Sequence, residues 1–189
     1  MKVVNETMFQ YLVCYEKEDF SFDGPCKLVD DATSIFSTDE AHNDSYSQES
    51  ARATTLSDFY NFFESSEGVK IYILYNKFDN KPVSLSINRK LDEDVYLLEY
   101  IATNKFERSQ GYATELAKYS FADLRNNGIK EVLLVVNNRN FKSQNLQESI
   151  ARFSGIKVSP KNDGECSHYA YNIESLNENI EDEKYEDVY

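Results

Sequence analysis

With only two histidines, His42 and His168, this sequence cannot build a three-histidine metal centre. A mixed histidine and carboxylate site stays open, but no HExxH or calcium-loop spacing occurs, and no metal is expected. The three cysteines, Cys14, Cys26 and Cys166, are widely spaced and form no CxxC pair, which argues against a disulfide framework or a zinc ribbon. Positive charge is scarce as well: 20 Lys and Arg face 33 Asp and Glu, for a net charge of −13. Neutralising a phosphate backbone needs clustered bases, which argues against nucleic acid as a partner. No apolar run approaches a membrane span, and MKVVNETMFQYLVCYEKEDF carries charge too early for a secretory signal. A cytoplasmic protein without a membrane partner is expected. Glycine is rare too, with six in 189 residues, so each one invites a reason.

What is present argues for a folded chain. Hydrophobic residues make up 41% and aromatics 14%, enough for one domain with a proper core. That domain is expected over residues 1–173. The tail 174–189 holds seven acids against Lys184, nearly half of the net charge, and its pattern NIEDEKYEDVY has no apolar period. It is expected to be disordered. Elsewhere the acidity mainly favours solubility, with a weaker pull toward cationic partners.

FQYLVCY, Phe9 to Tyr15, reads as a first strand. Glu18 to Ser50 is polar and aperiodic, and is expected to be loop or weak helix at a partner-facing edge. Leu56, Phe59, Tyr60 and Phe63 then recur at helical spacing, with Thr54 or Thr55 as the cap and Gly68 as the stop. VKIYILYN and PVSLSINRK follow as strands around a KFDNK turn. In the second, Val83, Leu85 and Ile87 alternate with Ser84, Ser86 and Asn88, the pattern of a half-buried strand. After an LDED turn, VYLLEYIA is apolar on both faces except at Glu99, as in a central strand. Tyr112, Ala113, Leu116, Ala117, Ser120, Phe121 and Leu124 form a helical stripe that Gly128 closes. EVLLVV is a second buried strand. A helix from about Lys142 to Ser154, closed by Gly155, and two short strands, IKV and HYAYNI, complete a mixed α/β sheet.

Between a strand and a helix stands ERSQGYATEL. Free amides at a helix N-terminus carry partial positive charge, and a glycine removes the Cβ that would block close approach. Arg108 adds a formal charge. These residues support a phosphate or pyrophosphate site; the alternative is that Gly111 only eases a tight turn. No GxxxxGK[ST] or GxGxxG competes. RSQGYA resembles the Arg/Gln-x-x-Gly-x-Gly/Ala loop of the GNAT superfamily, the Gcn5-related N-acetyltransferases, and the resemblance spans roughly Val69 to Ile173.

That resemblance implies a mostly antiparallel sheet of six to seven strands with helices on both faces. It implies acetyl-CoA as co-substrate, held between VYLLEYIA and EVLLVV. Backbone groups of Ile101, Ala102 and Thr103 would meet the pantetheine arm, and Arg108, Ser109, Gln110, Gly111, Tyr112 and Ala113 would cradle the pyrophosphate. Val136-x-x-x-Asn140 resembles the family's strand-to-helix junction, so Asn140 is expected to bond the pantetheine. Transfer would be direct to a primary amine of a small molecule or peptide. Glu99, alone among apolar residues, is expected to have a raised pKa and to act as base, on one strand face with Ile101 and Thr103; the alternative is a structural bond to a neighbouring Arg or Tyr. The family's tyrosine, which protonates the leaving thiolate, is missing: the two ways of counting reach Gln147 and Ala151. His168, Tyr169 or Tyr171 would replace it, with Tyr169 the candidate carried forward. Family members commonly form homodimers, here through an edge strand near the C-terminus. A protein that binds acyl-CoA or a partner without catalysis is the rival reading, and transfer of a longer acyl group is a third.

Overall fold

The structure, a computed structural model, describes residues 1–36, 48–154, 157–158, 161–162 and 164–176. His42, Gly155, the middle of the Glu18–Ser50 segment and the tail from residue 177 lie outside the described residues.

The chain opens with a hairpin of β1 (Lys2–Glu6) and β2 (Gln10–Tyr15), then forms α1 (Lys27–Phe36) and α2 (Gln48–Ser65). Three antiparallel strands follow: β3 (Lys70–Asn76), β4 (Pro82–Asp92) and β5 (Val95–Thr103). Then come α3 (Tyr112–Asn126), β6 (Glu131–Asn137) and α4 (Phe141–Ser154). Two short strands, β7 (Lys157–Val158) and β8 (Lys161–Asn162), precede β9 (Cys166–Asn172). The sheet runs β1-β2-β3-β4-β5-β6-β9-β7, with β8 also paired to β9. Every pairing is antiparallel except β5 with β6.

The nine strands exceed the expected six to seven. β1 is a charged edge strand with no alternation to mark it, and the end of the chain splits into three strands rather than two. α2 begins at Gln48, so Thr54 and Thr55 lie inside the helix instead of capping it, and Thr55 is buried. The packed chain also extends past residue 173: Leu176 is buried, and its carbonyl accepts a bond of 2.7 Å from Arg125 Nη1.

Neighbouring residues of the inner strands serve two cores, because successive side chains point to opposite faces. Val13, Ile71, Ile73, Leu85 and Ile87 pack under α1 and α2, with Leu28, Val29, Ile35, Phe59 and Phe63. Leu12, Cys14, Tyr72, Leu74, Leu98 and Val132 pack under α3, with Leu116, Phe121 and Leu124. α3 ends as expected. Gly128 has φ +87°, its N–H bonds the Arg125 carbonyl, and Ile129 N–H bonds that of Leu124, the paired closure of a glycine-terminated helix.

The half-buried reading of β4 does not hold. Ser84, Ser86 and Asn88 have no accessible surface. They lie opposite Leu74, Tyr72 and Leu98 or beside them, on the face that α3 covers. Small polar side chains leave room for that helix, and they find partners within the sheet. Ser84 Oγ donates to the Ala102 carbonyl at 2.7 Å, and Asn88 Nδ2 donates to Ser86 Oγ at 3.1 Å. Ser86→Leu should therefore overpack this face and destabilise by about 1–3 kcal/mol. Thermal denaturation would show a loss of about 2–4 °C per kcal/mol, whereas Ser86→Ala should cost only about 1 kcal/mol.

Candidate active site

Two irregularities in β5 shape the end of the sheet that leads into α3. The first is a bulge. Ile87 pairs with Tyr100 and Asn88 with Leu98, so Glu99 has no partner across the ladder. Such an extra residue switches the alternation. Leu98 faces α3 before the bulge, and Ile101 and Thr103 face it afterwards, opposite Ser86 and Ser84. Tyr100 and Ala102 turn to the α1–α2 side, where Tyr100 packs edge-on against Phe36 at 5.4 Å. The second irregularity is a parting. β5 pairs with β6 only through Val95–Glu131, Tyr96–Val132 and Leu97–Leu133. β6 then continues along β9 as far as Asn137. From Leu98 onward, the backbone edge of β5 that would meet β6 has no partner there, and a cleft opens between the strands.

At the mouth of that cleft the chain makes a short 3₁₀ turn, Lys105–Glu107, and then enters α3. Arg108 Nε donates to the Thr103 carbonyl at 3.3 Å, tying the loop to the end of β5. Ser109 has φ +66° and Gly111 φ +86°. Gly111 is the residue before the helix, and no side chain caps the amides of the first turn. A Cβ built on Gly111 would meet nothing within 4 Å, so the ground in front of those amides is open. Gln110 Nε2 is turned back onto Glu107 at 3.1 Å. Burial, then the carboxylates of Glu107 and Glu115, push the Tyr112 phenol up, which keeps it neutral. An uncapped helix start, an open face and a nearby guanidinium together fit a pyrophosphate.

Glu99 is not the isolated carboxylate that the sequence suggests. Its side chain is 29% exposed and forms a two-pronged pair with Arg89, each N–H···O contact 3.2 Å. The apolar setting that the sequence suggests is absent. Nor does Glu99 share a face with Ile101 and Thr103, because the bulge intervenes. Arg89 sits opposite Leu97 in the hairpin, and its pair with Glu99 is the structural bond to a neighbouring arginine that the sequence left open without naming the residue.

Asn140 caps α4: its Oδ1 accepts from Ser143 N at 3.1 Å, leaving its Nδ2 for other work. Gln147 is fully buried in α4, where its Oε1 accepts from the Tyr171 hydroxyl at 2.5 Å. Burial first, then Tyr169, push the Tyr171 phenol well up. Tyr169 is half-buried, opposite Leu134 on the face toward α3 and α4. The structure thus ties Arg108 to the end of the Ile101–Thr103 run, just before α3 begins at Tyr112; Asn140 starts α4 after β6, and Tyr169 lies on β9, on the other side of β6 from β5.

The profile of the acetyltransferase (GNAT) family matches residues 32–150, more than half of the chain. No curated protein matches. Among solved structures, the ribosomal-protein-S18-alanine N-acetyltransferase from Escherichia coli aligns at TM-score 0.54 and 18% identity, over 86% of this chain and 91% of that one. The PaiA N-acetyltransferase from Thermoplasma acidophilum, in complex with coenzyme A, aligns at 0.55 and 14%, over 85% and 98%. A GNAT-family acetyltransferase from Bacillus anthracis aligns at 0.54 and 16%, over 89% and 98%. At these identities the likeness is one of fold.

The backbone at Gly111 gives a direct check on the loop. Gly111→Ala should destabilise by about 1–2 kcal/mol from left-handed strain alone, although the new methyl meets no atom. Gly111→Asn should lose less, because asparagine tolerates that conformation. Urea denaturation would rank the two.

Proposed function

The chain belongs to the acetyltransferase (GNAT) family, and from that premise we propose that it transfers an acetyl group from acetyl-CoA to a primary amine of a small molecule or peptide. The observation that carries this reading is the parting of β5 from β6 with an uncapped helix start at its mouth. The amides of Gly111, Tyr112 and Ala113, with Arg108, would hold the pyrophosphate. Backbone groups of Ile101, Ala102 and Thr103, on the edge β6 leaves open, would align the pantetheine arm, with Asn140 Nδ2 as a second donor. When bound, acetyl-CoA supplies a thioester whose acyl carbon accepts the amine.

The remaining work falls to this chain's side chains. An arriving ammonium competes with Arg89 for the Glu99 carboxylate, which would then take the amine's proton. The half-buried Tyr169 phenol would return a proton to the departing thiolate. A second reading has its own support: α4 presents Gln147 and Ala151 in place of a tyrosine, and Glu99 already has a partner. On that reading the protein binds acyl-CoA without transferring it.

Acetyl-CoA at about 100 times its dissociation constant should stabilise the protein by about 2.7 kcal/mol, a rise of several degrees in a thermal melt. Gly111→Asn should fold and lose that rise. Glu99→Gln should keep the rise while acetylation of an amine panel falls by about 100-fold or more. A rise without acetylation of any amine would establish the binding protein instead, and no rise in wild type would remove the cofactor.

A further inference from the structure

The two edges of the sheet end differently. On the C-terminal side β9 is covered by β7 and β8, each two residues long. On the other side β1 has β2 as its one neighbour among the described residues. A five-residue strand there turns a row of backbone N–H and C=O groups outward, with no strand to receive them. Such an edge is a ready template for another chain. Val4 falls at a bulge and holds no register place opposite β2.

The side chains of this edge have a particular order. KVVNE carries a cation at one end, Lys2, an anion at the other, Glu6, and valine at its centre. Laid antiparallel against a second copy of itself about Val4, the strand sets Lys2 opposite Glu6 twice and Val4 opposite Val4. Laid parallel in register, it sets Lys2 beside Lys2 and Glu6 beside Glu6. Opposite charges directly across a ladder stabilise it and like charges weaken it, so the charges select the antiparallel pairing. An edge lysine usually repels a newcomer. Here the strand supplies its own counter-charge. Lys2 has no carboxylate partner among the described residues, and Glu6 is paired with Lys77 at 2.6 Å, both side chains exposed. Lys2 of a second copy would extend that pair into a row of alternating sign.

Apolar surface gathers at the same place. Met1, Val3, Met8 and Phe9 are exposed in or beside the β1–β2 hairpin. Phe78, from the turn between β3 and β4, is exposed too and packs against Phe9 with ring centres 5.8 Å apart. These are five of the eleven large apolar residues exposed among the described residues, so the apolar surface is concentrated along one edge. The same antiparallel register sets Met1 of each copy opposite Thr7 of the other, next to Met8.

We propose that two copies of this chain associate through β1, antiparallel about Val4, and join their sheets across a two-fold axis. Such an interface uses one patch on both copies, which is why the strand must complement itself. The occupant is a second copy because the charges that meet are those KVVNE itself carries. The association does not depend on acyl transfer.

The test is sedimentation of the wild-type protein at up to about 0.5 mM, because an interface one short strand wide is weak. A monomer–dimer equilibrium is expected. Over the same range, ¹⁵N amide shifts should move with concentration at Lys2–Glu6 and stay fixed in β7, β8 and β9. Lys2→Glu and Glu6→Lys should each weaken association about tenfold or more, since either one puts two like-charge pairs across the axis. Both positions are exposed, and unchanged melting curves would show that the variants fold. Mixed in equal amounts, the two variants should associate again, because every charge at position 2 then meets its opposite at position 6. A monomer at every concentration, or shifts confined to the C-terminal strands, would overturn the proposal. So would undiminished dimers of both variants, or variants that stay apart when mixed.

Discussion

Strand β5 is paired with β4 along nearly its whole length but with β6 at three positions only, and a backbone amide without a partner is tolerated only where something else can reach it. The rest of the reactive end follows from that constraint. β6 is the one parallel neighbour, entering through α3, and it is held on its other side by seven register positions with β9. The two strands therefore have different allegiances, β5 to the meander before it and β6 to the strand after it. The bulge at Glu99 sits just past the last shared pair and turns the remainder of β5 so that Ile101 and Thr103 face α3. Cleft, bulge and helix start are consequences of one topology rather than three separate devices.

The two-sided core keeps that arrangement rigid. α3 rests on β4 through Ser84, Ser86 and Asn88, residues small enough to let the helix settle closely and polar enough to bond within the sheet. The bond from Ser84 to the Ala102 carbonyl, and its contact with the Thr103 hydroxyl at 3.0 Å, fix the tip of β5 from the β4 side. The strand end that would meet a cofactor is thus anchored on the edge away from it. Preorganised backbone donors need no rearrangement when charge arrives, which makes their contribution large.

The start of α3 at Gly111 was legible in the sequence because its signal is local: one glycine and a helix period starting at once. Gly128 was legible for the same reason. α1 was not, although Leu28, Val29, Ala32 and Ile35 recur at helical spacing. Asp30 and Asp31 interrupt that pattern, and Asp31 reads as a solvent residue. In the fold its side chain accepts bonds from Lys27 and from the Tyr75 hydroxyl, which lies far along the chain. The bulge at Glu99 was hidden too, because a bulge is a property of two strands in register and leaves no mark on one. The pairing of Glu99 with Arg89 follows from that same hairpin register. Local signals are readable from a single chain, whereas those set by a distant partner are not.

The distribution of thiols has a practical side. Cys14 and Cys26 are buried, and burial above all pushes the Cys14 thiol up to about 12. Cys166 is less enclosed and lies opposite Asn137, the last residue of β6, after that strand has left β5. A thiol-reactive fluorophore therefore has its most open native attachment point on β9, one strand beyond β6, with no engineered residue. Single-site labelling of the wild-type protein follows from burial alone, because the other two thiols are enclosed.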